Sequence, residues 1–204
     1  MSTAVEDLKK RIDLPVILKE INDYWQEEER KRSAFFDLVH ENQKAEFING
    51  EALLHSPVKN QHWVACTNIA AYLTVFVNEN KLGKVGVEKV LIHCTRNDYE
   101  PDVVFFNPEK ASQFKPEQML FPAPDLAVEV LSESTKVNDY GIKFSDYAIH
   151  GVSEYWIVDP INQSVEQYFL KEGTFHLHQK LTESGILKSK MVKGFEMEIR
   201  TIFN

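Results

Sequence analysis

The run Asp125-Leu126-Ala127-Val128-Glu129-Val130-Leu131 constrains this chain more than any other stretch. It follows Pro122, it is almost wholly aliphatic, and it ends at the polar turn Ser132-Glu133-Ser134-Thr135, so it reads as a buried strand. Strand alternation sets Asp125, Ala127, Glu129 and Leu131 on one face and Leu126, Val128 and Val130 on the other. Glu129 is then a charge inside a run that otherwise reads as core. An unpaired buried carboxylate costs several kcal/mol, so a cation, a metal or a proton has to answer it. Beyond the turn, Asp139, Lys143 and Tyr147 recur every four residues, which aligns them on one face of a helix that Gly151 ends. Glu154-Tyr155-Trp156-Ile157-Val158 follows as a second buried strand, closed by Asp159-Pro160.

The rest of the chain supplies layers to cover that strand. Residues 4–42 read as helical, with Leu8, Ile12, Ile17 and Ile21 at helical spacings, Pro15 dividing the segment, and the charge run from Glu27 to Arg32 as a solvated face. Asn49-Gly50 between Ala45-Glu46-Phe47-Ile48 and Glu51-Ala52-Leu53-Leu54 predicts a tight hairpin. Residues 57–81 read as a long helix in which Trp63 belongs to the core and His62 could face the site, a packing role being favoured over a catalytic one. One irregular strand is expected over 84–94, another over 101–106 with Asp102 at its start, and a surface loop over 107–121. Antiparallel strands are expected at 164–170, 174–180, 187–192 and 195–199. The expected organisation is a single domain overall, an N-terminal helical segment over 1–42 and the main unit over 43–204.

With 43% hydrophobic and 26% charged residues the chain has the composition of a globular protein. No apolar run reaches the roughly 20 residues of a membrane helix and the first ten residues are polar, so the expectation is a cytoplasmic protein without membrane contact. Cys66 and Cys94 stand in no paired short-spacing motif, which argues for reduced buried thiols. A formal charge of -8 argues against a protein that coats nucleic acid, though a local basic rim around an acidic site can still dominate within about 10 Å.

Glu46, Asp102, Glu129 and Lys143 are the residues that can converge. Two strand carboxylates, with backbone carbonyls and water, suit an oxygen-ligated cation of the magnesium type. A lysine beside them can orient the attacking water and stabilise charge on a phosphate, and the set together is fit to hydrolyse a phosphodiester. The bland alternative is a structural ion pair between Glu129 and Lys143.

Asp102 in Pro101-Asp102, Glu129 in Asp125-Leu-Ala-Val-Glu-Val-Leu-Ser132, then Lys143, Tyr147 and Gly151-Val-Ser-Glu-Tyr-Trp-Ile-Val-Asp-Pro160, resemble the Uma family of putative restriction endonucleases, within the PD-(D/E)XK nuclease superfamily. The resemblance runs from about Glu46 to Leu170. It implies an α/β fold of α+β character: a restriction-endonuclease-like mixed central sheet flanked by helices, with N-terminal helices and C-terminal antiparallel strands. It implies a metal-dependent deoxyribonuclease using magnesium or manganese (Mg2+ or Mn2+), with DNA as substrate. By the same likeness Asp102 and Glu129 are metal ligands, Val130 is assigned with them, Glu46 is the acid of the first segment and Lys143 is the lysine. The superfamily's lysine two residues beyond the glutamate is absent, since that position is Leu131, and Lys143 on the following helix fits the relocated one. The alternative reading is a non-catalytic nucleic-acid-binding or regulatory module on the same fold. Symmetric cutting of a duplex further motivates the expectation of a homodimer.

Overall fold

The strand that bears Glu129 spans Leu126–Val130 and lies inside a six-stranded sheet. The computed structural model describes residues 3–39 and 44–204, so the expected boundary near residue 42 lies outside the described residues. In chain order the elements are helices α1 (Thr3–Lys9) and α2 (Leu14–Leu38), strands β1 (Ala45–Ile48) and β2 (Glu51–Leu54), and α3 (Asn60–Asn80). Then come β3 (Lys84–Val87), β4 (Leu91–His93), β5 (Asp98–Tyr99), β6 (Val103–Phe106), α4 (Pro108–Ala111) and β7 (Leu120–Phe121). The second half holds β8 (Leu126–Val130), α5 (Lys136–Tyr140), α6 (Ile142–Ile149), β9 (Glu154–Asp159), β10 (Ser164–Lys171) and β11 (Thr174–Thr182). It closes with β12 (Ile186–Lys188), β13 (Glu196–Glu198) and α7 (Arg200–Phe203).

The large sheet runs β11-β10-β9-β8-β6-β3, with β8 and β9 parallel and its other pairs antiparallel. A smaller sheet runs β2-β1-β5-β4-β7, and β12 pairs with β13. The alternation of β8 holds on both faces. Leu126, Val128 and Val130 pack with Ile69, Leu73 and Val77 of α3 and with Phe195 and Ile199 near the C-terminus. Ala127 and Leu131 face Ile48, Ile92, Tyr99, Tyr147 and Tyr155. Each fully buried aliphatic side chain contributes roughly 1.5–3 kcal/mol. Glu129 points to this second face, between the two sheets.

Several local expectations meet a different outcome, each with a physical reason. The N-terminal segment does divide into two helices, but the break lies at 10–13, just before Pro15, which sits in the first turn of α2 where the missing amide costs nothing. Residues 84–94 are two strands in two sheets, since Glu88 (φ 44°) and Lys89 (φ 47°) turn the chain out of the large sheet into the small one. The helix over Asp139 to Tyr147 is interrupted at Gly141, where a Cβ would lie 2.7 Å from the carbonyl oxygen of Val137. Trp63 is 55% exposed rather than core. Glu28 and Arg32 of the charge run are buried, Glu28 against Arg96 and Arg32 against Asp98, so that run is solvated only in part. The hairpin forms as expected, with Asn49 (φ 50°) and Gly50 (φ 83°) both left-handed as its tight turn requires.

Candidate active site

Register builds the site. Strands β6 and β8 pair as Val103 with Val128 and Val104 with Ala127, so one further step sets Asp102 opposite Glu129, at the roughly 4.5–5.5 Å between cross-strand neighbours. The backbone N–H of Val130 donates to Asp102 Oδ2 at 2.8 Å, which ties that carboxylate to the main chain of β8. From the small sheet, β1 presents Glu46, whose Oε1 accepts from the backbone N–H of Glu100 at 3.1 Å. Lys143 of α6 closes the gap between the sheets. Its Nζ lies 2.8 Å from Glu46 Oε1, 3.0 Å from Glu129 Oε1 and 3.3 Å from Asp139 Oδ1. Tyr147, one turn further on, donates its hydroxyl to the same Glu129 oxygen at 2.8 Å, leaving Oε2 engaged by neither partner.

All the residues assigned from sequence, Glu46, Asp102, Glu129, Val130 and Lys143, are buried, and all but Glu46 line one cleft of about 950 Å3. Three more groups join them. Lys44 Nζ lies 2.7 Å from Asp102 Oδ1, His62 Nε2 lies 3.4 Å from Asp102 Oδ2, and His55 Nε2 lies 3.1 Å from Glu46 Oε2. His62 is therefore at the site and not merely a packing residue. Lys44 had a signal in the chain: it stands two residues before Glu46, on the same side of an extended segment. Asp125 stands at the opposite end of β8, where it accepts from the Asn107 backbone N–H and pairs with Lys110.

Charge decides what this arrangement can hold. Glu46, Asp102, Glu129 and Asp139 are four buried carboxylates facing two ammonium groups, Lys44 and Lys143. With all four ionised, two negative charges are left over among these groups of the described residues before the imidazoles are counted. Burial, and then Asp139, Asp102 and Glu46 together, outweigh Lys143 and push Glu129 up to about 8. Burial also raises Asp139, against the pull of Lys143. For Glu46 burial works upward too, but Lys143 and His55 prevail and hold it at about 2. Asp102 is held well below the carboxylate range because Lys44 and His62 outweigh its burial. Lys44 stays charged above the ordinary lysine value: its burial is overcome by Asp102 and then by Glu129. The ammonium of Lys44 thus acts as a stand-in cation against Asp102, and hard oxygen donors with a formal surplus of negative charge fit a divalent ion. A separate group, Cys94, Asp146 and His150, has candidate ligand atoms within 4.8 Å of one another; Asp146 accepts from Asn97 and Tyr99, and His150 bonds Thr95.

A family model described as "Putative restriction endonuclease", Uma2, matches residues 32–200. The chain belongs to the Uma2 family. The matched span takes in every carboxylate and both lysines of the cleft, and leaves out α1 and much of α2. The fold is also similar to the crystal structure of a "putative nuclease belonging to DUF820" from Anabaena variabilis, with a TM-score of 0.71 and 16% identity over 83% of this chain and 94% of that one. No curated protein matches the chain. The α+β architecture, with mixed sheets flanked by helices, is that of a nuclease-like fold. Among the described residues no helix is long and apolar enough to cross a membrane.

Proposed function

We propose that this Uma2 protein is a magnesium- or manganese-dependent endonuclease that hydrolyses DNA phosphodiester bonds. The observation that carries the reading is the excess of buried carboxylates over ammonium groups in a cluster that opens to a cleft through Asp102 and Glu129, within a family described as "Putative restriction endonuclease". Asp102 and Glu129, opposite each other across β6 and β8, are the side chains that would hold the ion, with Val130 lining the cleft beside them. Bound there, a divalent ion supplies Lewis acidity toward a phosphoryl oxygen and a water of lowered pKa. Glu46 and Lys143 keep the inner wall charged and fixed: Lys143 draws Glu46 and Glu129 to one point, and Tyr147 holds the same Glu129 oxygen with its hydroxyl. Side chains locked this way hold the geometry that a metal-assisted displacement needs.

The test is cleavage of plasmid, single-stranded and branched DNA with magnesium or manganese, run beside Glu129→Gln and Asp102→Asn. Metal-dependent cleavage by the wild type that both variants lose is the expected result. Equal cleavage by Glu129→Gln would overturn the assignment, and no cleavage of any substrate with either metal would leave the fold without this activity.

A further inference from the structure

An ammonium has three N–H donors, and those of Lys143 face three carboxylates. Although it borders the cleft, its side chain is only 2% exposed. A phosphate entering the cleft would have to break one of those buried pairs to reach it. Lys44 is placed differently. It lines the same cleft, but its side chain is 20% exposed, and among the described residues its ammonium meets a single carboxylate, Asp102. Beside it stands His62, buried, with Nε2 toward Asp102 and with Nδ1 lacking a hydrogen-bond partner among the described residues. Of the two lysines paired with the buried carboxylates, the one that can turn toward a substrate is Lys44.

We propose that Lys44, rather than Lys143, is the charged group that meets the scissile phosphate, and that in the metal-free protein its ammonium neutralises the Asp102 oxygen a divalent ion would claim. The inference rests on the nuclease reading above. It gives the two lysines separate work: Lys143 is a positioning residue for Glu46, Glu129 and Asp139, and Lys44 contacts substrate. It also has a consequence independent of turnover, because a group that competes for Asp102 weakens metal binding, while a group that only supports the site strengthens it.

The experiment measures manganese affinity, by titration calorimetry or by the electron paramagnetic resonance of free manganese, together with cleavage of supercoiled plasmid. Lys44→Met and Lys44→Gln are the charge-free variants, chosen so that one failing to fold leaves the other, and Lys44→Arg keeps the charge. Removing one charge-assisted contact to Asp102 corresponds to manganese binding about 10-fold tighter or more. Cleavage should fall about 100- to 1000-fold, the loss typical of a missing transition-state contact. Lys44→Arg should keep wild-type manganese affinity and part of the cleavage. Wild-type manganese binding that the charge-free variants leave unchanged or weaken would overturn the role of Lys44 and spare the nuclease reading. A wild-type chain that binds no manganese would overturn both.

Discussion

Replacing Lys143 by methionine removes a cation that Glu46, Glu129 and Asp139 share, at contacts of 2.8, 3.0 and 3.3 Å and with 1% of the residue exposed. Breaking a buried ion pair from one side costs about 3–5 kcal/mol, because the remaining charge stays desolvated. In a chain of this length each kcal/mol moves the melting temperature by about 2–4 °C, so Lys143→Met should melt roughly 6–20 °C lower near neutral pH. The loss depends on pH in a definite direction. Glu46 has its folded pKa held down at about 2, below its ordinary 4.5, so its contribution is present above about 4.5 and lost as pH falls through about 2. The variant lacks the ammonium mainly responsible for that depression; its deficit is therefore full near neutrality and shrinks in acid, where carboxyl groups escape by protonation. Thermal unfolding followed by circular dichroism across that pH range reads both effects. Adding Glu129→Gln to Lys143→Met should recover part of the loss, since one fewer carboxylate is stranded. A melting temperature within about 1 °C of wild type at neutral pH would refute the reasoning, for it would mean that the three contacts are not a load the fold depends on.

Three further expectations concern the same site. Saturating magnesium or manganese should raise the wild-type melting temperature, by the equivalent of about 2.7 kcal/mol at a hundred times the dissociation constant, and Asp102→Asn should abolish the rise; an equal rise in the variant would place the ion elsewhere. Glu129, with its folded pKa raised from 4.5 to about 8, contributes stability that is full below about 4.5 and lost as pH climbs through about 8, so metal-free Glu129→Gln should show a flatter stability profile over that window than wild type. Paired cuts in a duplex need two sites, and a twofold dimer mass by light scattering at assay concentration is the expected state; a monomeric mass with duplex cleavage intact would sink that idea.

How much of this was legible in the chain depends on which residues are asked about. Glu129 was the easiest, because an acid inside an aliphatic strand has few explanations. Lys143 and Tyr147 followed from their spacing, and the break at Gly141 did not separate them, since both lie within α6. Asp102 was visible at the head of its strand, although only the register of β6 against β8 shows that it faces Glu129. The contacts of Lys44 and His62 were beyond sequence reasoning, since they arise from where the β1–β2 hairpin and the start of α3 dock on Asp102. Burial of Glu28 and Arg32 was hidden for the same reason: a charged helix face looks solvated until Asp98 and Arg96 from elsewhere in the chain meet it. The single strand expected over 84–94 failed because alternation cannot register two left-handed residues that redirect the backbone.

Arg32 makes a two-point contact with Asp98, at 2.7 and 2.9 Å, and also donates to the carbonyl oxygens of Cys94 and Thr95. This clasp joins α2 to the small sheet, whose edge strand β2 is exposed along its whole length. Glu46 belongs to that small sheet and Lys44 directly precedes its strand β1, while Asp102 and Glu129 belong to the large one. The four are therefore assembled across a seam, and the clasp is one of the fastenings on its weaker side. Local opening of such a seam takes less free energy than melting the core. On heating, catalytic half-life should shorten before the bulk of the secondary structure is lost, and a nick or a partner that loosens α2 would silence the cleft while leaving the rest of the molecule folded.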